Sequence, residues 1–112
     1  MRQTISGLFG AGILALVVVV NPVVSKAADP DAAKGKEVFE QCSVCHNADS
    51  EETKMGPGLK GLFKKDKLKN GKKPTEANVK AVINEGGKGM PAYSDMLADE
   101  ERTNLLAYLK TL

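Results

Sequence analysis

The chain has 112 residues, with 16 Lys and Arg against 14 Asp and Glu, two Cys and a single His, so it holds one domain at most and too few cysteines for a disulfide scaffold. Its total charge points to no class of partner, and no nucleic-acid partner is expected.

From the N-terminus, Arg2 gives a positive start, and residues 5–20 are almost wholly apolar before the breakers Asn21-Pro22. Ser25 and Ala27 put small residues at the −3 and −1 positions of a cleavage after Ala27. That order is a secretory signal peptide. Residues 1–27 are therefore expected to be removed and residues 28–112 to form one domain working in the periplasm. An uncleaved membrane anchor is the alternative, although the run falls short of the ~20 residues a spanning helix needs and Gly7, Gly10 and Gly12 dilute it.

Residues 28–112 carry 14 basic and 14 acidic side chains, only four aromatic ones (Phe39, Phe63, Tyr93, Tyr108) and no Trp. A core of that size supports only a few kcal/mol of stability. A Cys42–Cys45 disulfide would close a tiny loop and remove little chain entropy, so something else must fill the interior.

Residues 31–42 read as a helix capped by Asp31, with Ala32, Gly35, Val38 and Phe39 at helical spacing. Gly35 inside it suggests close approach by another backbone. Residues 47–55 read as loop and Gly56-Pro57-Gly58 as a tight turn, followed by Leu59, Leu62 and Phe63 at a short helical spacing. Lys60, Lys64, Lys65, Lys67, Lys69, Lys72 and Lys73 crowd a surface loop with Asn70-Gly71 as a turn. Thr75 caps a second helix to about Glu85, whose face is Val79, Val82 and Ile83, and Gly86 is its left-handed stop. Residues 86–91 read as an extended glycine loop. A last helix, weakly capped because Ala98 stands at its start, runs from near Asp99 to the chain end. The expected fold is all-α with long loops.

Cys42-Ser43-Val44-Cys45-His46 is a c-type haem attachment sequence. Two thiols three residues apart can each add to one vinyl group on one edge of a macrocycle, and the next residue offers an imidazole to the iron. Zinc needs four ligands, and two Cys and one His do not supply them. A thioredoxin-like thiol pair lacks its strand–helix context. With no second His, Met is the leading candidate for the sixth iron position: Met90 sits in a glycine loop between helices, Met55 is close in sequence to His46, and Met96 reads as core.

With CSVCH, the turn MGPGLKGLF and the loop GKGMPAY in that order, the chain resembles class I c-type cytochromes from residue 35 to residue 112. The resemblance implies three to five helices wrapped round one covalent haem c, the first and last crossing. It implies that Cys42 and Cys45 form the thioethers, that His46 and Met90 are the axial iron ligands, and that the Pro57 carbonyl accepts a hydrogen bond from His46. It also places Leu59 and Phe63 in the haem pocket, and has Gly35 and Phe39 meet Leu105 and Tyr108 at the helix crossing. Tyr93 and Tyr108 are read as core or interface aromatics with no redox part. The chain departs from better-known members in lacking Trp and in its lysine-rich loop.

The expected function is one-electron transfer between redox-protein partners, without catalysis. A haem-carrying subunit of a larger dehydrogenase or oxidase is the alternative, and a gas-binding or peroxidase-like protein would require an open iron. The lysine loop would either dock an acidic partner or serve as a solvated surface.

Overall fold

The computed structural model describes residue 7, residues 10–22 and residues 29–112. The expected cleavage site at Ser25–Ala27 lies outside the described residues. Residues 10–22 are exposed and carry no regular secondary structure, and no helix of the described residues is long and apolar enough to cross a membrane.

Among the described residues three helices carry the fold: α1 (Ala32–Phe39), α2 (Glu76–Glu85) and α3 (Asp99–Leu109), with a 3-10 turn at Leu62–Lys64. The described residues form no strand, only one isolated bridge between Gly87 and Met90. Asp31 caps α1 by accepting from the N–H groups of Ala33 (2.8 Å) and Lys34 (3.2 Å). Its own N–H donates to Asn104 Oδ1 of α3 at 2.9 Å. One residue thus starts the first helix and ties it to the last.

α1 and α3 cross at Gly35. A Cβ there would run into the Asn104 backbone carbonyl and the Tyr108 Cβ, so only glycine permits the approach. One turn on, the Phe39 and Tyr108 rings pack with centroids 5.3 Å apart. Phe39, Leu105, Leu106 and Leu109 are buried at this crossing, and Val79 and Ile83 of α2 complete the core with Leu62 and Leu97. Each such side chain stabilises by about 1.5–3 kcal/mol. Two ion pairs, Lys80–Asp99 and Lys110–Glu76, join α2 to α3 at the surface. At their exposure each contributes at most about 1 kcal/mol.

Five expectations need correction. α1 ends at Phe39, not Cys42, because Glu40 to Cys45 turn back in tighter bonds onto Glu37, Phe39 and Cys42. α3 stops at Leu109, short of the chain end. Met96 is not core: it is 62% exposed, and its neighbour Leu97 occupies the interior instead. The loop after α2 is folded rather than extended, since Gly87 and Met90 exchange both backbone hydrogen bonds. Its first residue, Gly86, has φ 63 but ψ −151, outside the left-handed helical well. The weak start of α3 is half repaired by Glu101, whose Oε1 accepts from the Ala98 N–H at 3.3 Å.

Candidate functional site

Immediately after α1 the chain winds through successive turns that bring both thiols and the imidazole onto one short segment. Cys42 N–H donates to Phe39 O (2.7 Å), Cys45 N–H to Cys42 O (3.1 Å) and His46 N–H to Cys42 O (2.9 Å). Both cysteines are free and half-buried. Burial, and then the neighbouring Cys45, push the Cys42 thiol above its ordinary value of 9.0.

His46 is fixed from two sides. Its Nδ1 lies 2.7 Å from the Pro57 carbonyl. A carbonyl only accepts, so Nδ1 carries the proton and Nε2 keeps a free lone pair. Gly56 faces the ring: a Cβ there would lie 2.5 Å from His46 Cε1. The segment carrying Gly56 and Pro57 is bound to the thiol turn by Gly56 N–H to Cys45 O (2.8 Å), Lys54 Nζ to Ser43 O (3.1 Å) and Leu59 N–H to Asn47 O (2.7 Å).

Leu59, Phe63 and Met90 are each half-buried and packed against the core, as are Cys42, Leu68 and Tyr93. Met90 closes the hairpin turn Gly87–Met90, with hydrogen bonds of 2.9 and 3.0 Å. Lys88 (φ 51) and Gly89 (φ 89) make the reversal. Met55 and Met96 are both largely exposed, leaving Met90 as the methionine packed on the core among the described residues.

Gly56, against the face of the His46 ring, was missed by sequence reasoning as a candidate site residue, while Tyr93, read as a core or interface aromatic, packs against the core beside the thiols. Tyr93 stands close enough to the thiols that, after burial, Cys42 and Cys45 both raise its hydroxyl above 10.0. Its place three residues after Met90 in one loop was the available signal. Gly56 was legible only as a turn residue, since its role comes from a ring that packs against it from another segment.

The donor set fits a covalently attached haem. Two unpaired thiols sit on one turn, the adjacent imidazole offers Nε2, and several apolar side chains pack on the core yet stay incompletely covered, a surface that a flat apolar group would complete.

The family model described as Cytochrome c matches residues 32–112. Cytochrome c2 of Rhodospirillum rubrum is 31% identical over 95% of this chain and 97% of its own length. Cytochrome c2 of Blastochloris viridis is 42% identical over 56% of this chain, which spans 43% of that relative. Among solved structures, cytochrome c6 from the diatom Phaeodactylum tricornutum superposes with a TM-score of 0.56 at 28% identity, over 72% of this chain and 92% of that one.

Proposed function

The chain belongs to the cytochrome c family, as a class I c-type cytochrome that carries one covalent haem c and transfers electrons rather than catalysing a reaction, and from that premise we propose that it shuttles single electrons in the periplasm on a haem ligated by His46 and Met90. The observation that carries this reading is the His46–Pro57 bond, which leaves Nε2 as the one imidazole nitrogen able to bind a metal.

Haem, when bound, supplies a one-electron ferric/ferrous couple. The protein's part is placement. Cys42 and Cys45 hold the edge of the group through thioethers. Pro57 orients the imidazole and makes Nε2 a stronger donor by accepting the Nδ1 proton's hydrogen bond. Gly56 leaves room for the ring, and Leu59 and Phe63 line the pocket and keep water out. Met90 would supply the haem iron with a thioether donor, which would favour the reduced state. Residues 1–27 act as the export signal, and residues 28–112 are the working domain.

Partners are redox proteins. Lys60, Lys64, Lys67, Lys69, Lys72 and Lys73 are exposed and suit an acidic partner, while Lys65 is drawn inward by donating to Gly58 O at 2.9 Å. A second reading, a haem-carrying subunit of a larger complex, is favoured by Val44 and Met55, which are 70% and 85% exposed beside the attachment turn. Monomeric elution in gel filtration would exclude it.

The test is spectroscopic. The oxidised holoprotein should show a weak far-red sulfur-to-iron band that Met90→Ala abolishes, and the reduced wild type should not bind carbon monoxide. Ready binding of carbon monoxide by the wild type would overturn the carrier reading.

A further inference from the structure

We propose that Arg102 is a positioning residue for Met90: through Asn84 it clamps the last turn of α2, from which the Met90 loop hangs, onto α3. This rests on the reading of Met90 as the sixth ligand.

The Arg102 guanidinium sits where a charge is unfavourable. The Arg102 side chain is only 13% exposed, and burying that charge is unfavourable unless directed bonds replace its water. Its Nη1 donates to Asn84 Oδ1 at 2.5 Å. Its Nε is buried without a hydrogen-bond partner among the described residues. Among the described residues, the carboxylate that pairs with it is Asp99, which is 74% exposed and 3.6 Å from Nη2, and Lys80 already reaches the same oxygen at 3.1 Å. A surface ion pair with Asp99 therefore does not explain why Arg102 turns inward. The bond to Asn84 does.

Asn84 is the penultimate residue of α2. The chain leaves α2, makes the Gly87–Met90 hairpin, and returns to the same turn. Tyr93 N–H donates to Ile83 O (2.9 Å), and Ser94 N–H to Asn84 O (3.4 Å). Gly86 N–H donates to Val82 O at 2.8 Å. Among the described residues, every backbone hydrogen bond that leaves residues 86–94 for another element ends on Val82, Ile83 or Asn84. Tyr93 O in turn accepts from the Met96 and Leu97 N–H groups, at 3.2 and 3.0 Å, within the same connection, so among the described residues the backbone bonds that tie the loop to a helix are those to the α2 C-terminus. Arg102 bonds this last turn to α3, one turn beyond the Lys80–Asp99 pair, and α1 in turn holds α3 at the Gly35 crossing. The α2–α3 ion pair Lys110–Glu76 lies at the opposite end of α2 and cannot serve the loop.

A ligand that must displace Met90 measures how firmly the loop is held. Imidazole titration of the ferric holoprotein, read by loss of the far-red band and by the Soret shift, should give about tenfold tighter binding in Arg102→Met and in Asn84→Ala, the loss expected for one hydrogen bond to a charged donor. Asn84→Asp keeps an acceptor and should stay within about twofold of wild type. Lys110→Met, a control at the far end, should match wild type. In a Met90→Ala background, Arg102→Met should leave imidazole affinity unchanged, because no methionine remains to be displaced. If Arg102→Met lowers the thermal midpoint but binds imidazole like wild type, Arg102 only stabilises the fold and the proposal is wrong, with Met90 still the ligand. If wild type and Met90→Ala bind imidazole equally well, Met90 is not the ligand, and both readings fall together. Should Arg102→Met fail to accumulate, Asn84→Ala decides alone.

Discussion

Between residues 42 and 59 the chain bonds to itself at short intervals, and His46 is held by a carbonyl on one side and a glycine on the other. Between residues 86 and 94 it makes a single self-contained turn through positive-φ positions and hangs from one end of α2. The first segment is over-determined by local contacts. The second depends on where remote elements happen to be. Rigidity on the histidine side and compliance on the methionine side follow from these two ways of fixing a loop.

The same substitution made in both loops should expose the contrast most strongly. Gly56→Ala drives a Cβ into the His46 ring and should cost about 3 kcal/mol, the upper end for overpacking, lowering the holoprotein's thermal midpoint by more than about 10 °C. Gly89→Ala meets no atom within 4 Å, so only its φ of 89 is strained. It should cost about 1 kcal/mol, with a fall of roughly 4–8 °C in the same melt. Equal losses in the two variants would break the comparison.

A smaller change should firm up the compliant side. Ala98 already has the extended backbone of an N-cap but no side-chain acceptor. Ala98→Ser would supply the missing half of the capping box and raise stability by about 0.5–1 kcal/mol, seen as a higher urea midpoint at unchanged slope. The smallest effect is a pH dependence of the protein before haem is attached. Cys42 and Tyr93 both have raised values in the folded state. A raised acid binds its proton more tightly when folded, so its contribution is complete below the ordinary value of 9.0 for the thiol and is lost as pH climbs beyond it. The haem-free chain should therefore lose stability above about pH 9, and iodoacetamide should alkylate Cys42 more slowly at pH 8 than it alkylates the unfolded chain.

What the sequence announced were features with local causes. Asp31 and Thr75 cap helices where their side chains reach N–H groups two or three residues on. Gly71 (φ 81) turns the lysine loop as Asn70-Gly71 implied. Gly35 was readable as a close approach because a helix-interior glycine is costly without one. What stayed hidden was decided across space. Met96 and Leu97 are adjacent apolar residues, and only the packing of α3 selects Leu97 for the core. The early end of α1 reflects the bonds of the thiol turn, and the inward turn of Arg102 reflects an acceptor on another helix. The fold class and the attachment motif were therefore legible, whereas the cradle of Gly56 and the folded hairpin before Met90 were not.

The crossing at Gly35 also sets a schedule. Asp31 and Asn104, which join the first helix to the last, are 73 positions apart, and α1 by itself has only eight residues, too short to persist alone in water. A chain delivered from its N-terminus presents Cys42, Cys45 and His46 well before it delivers Asn104, Leu105 and Tyr108. During that interval α1 has nothing to lean on, and the thiols stand open to whatever machinery attaches haem. The α1–α3 crossing therefore closes only once the C-terminal residues have arrived, so the order of the chain alone keeps the thiol turn apart from its packing partners until then.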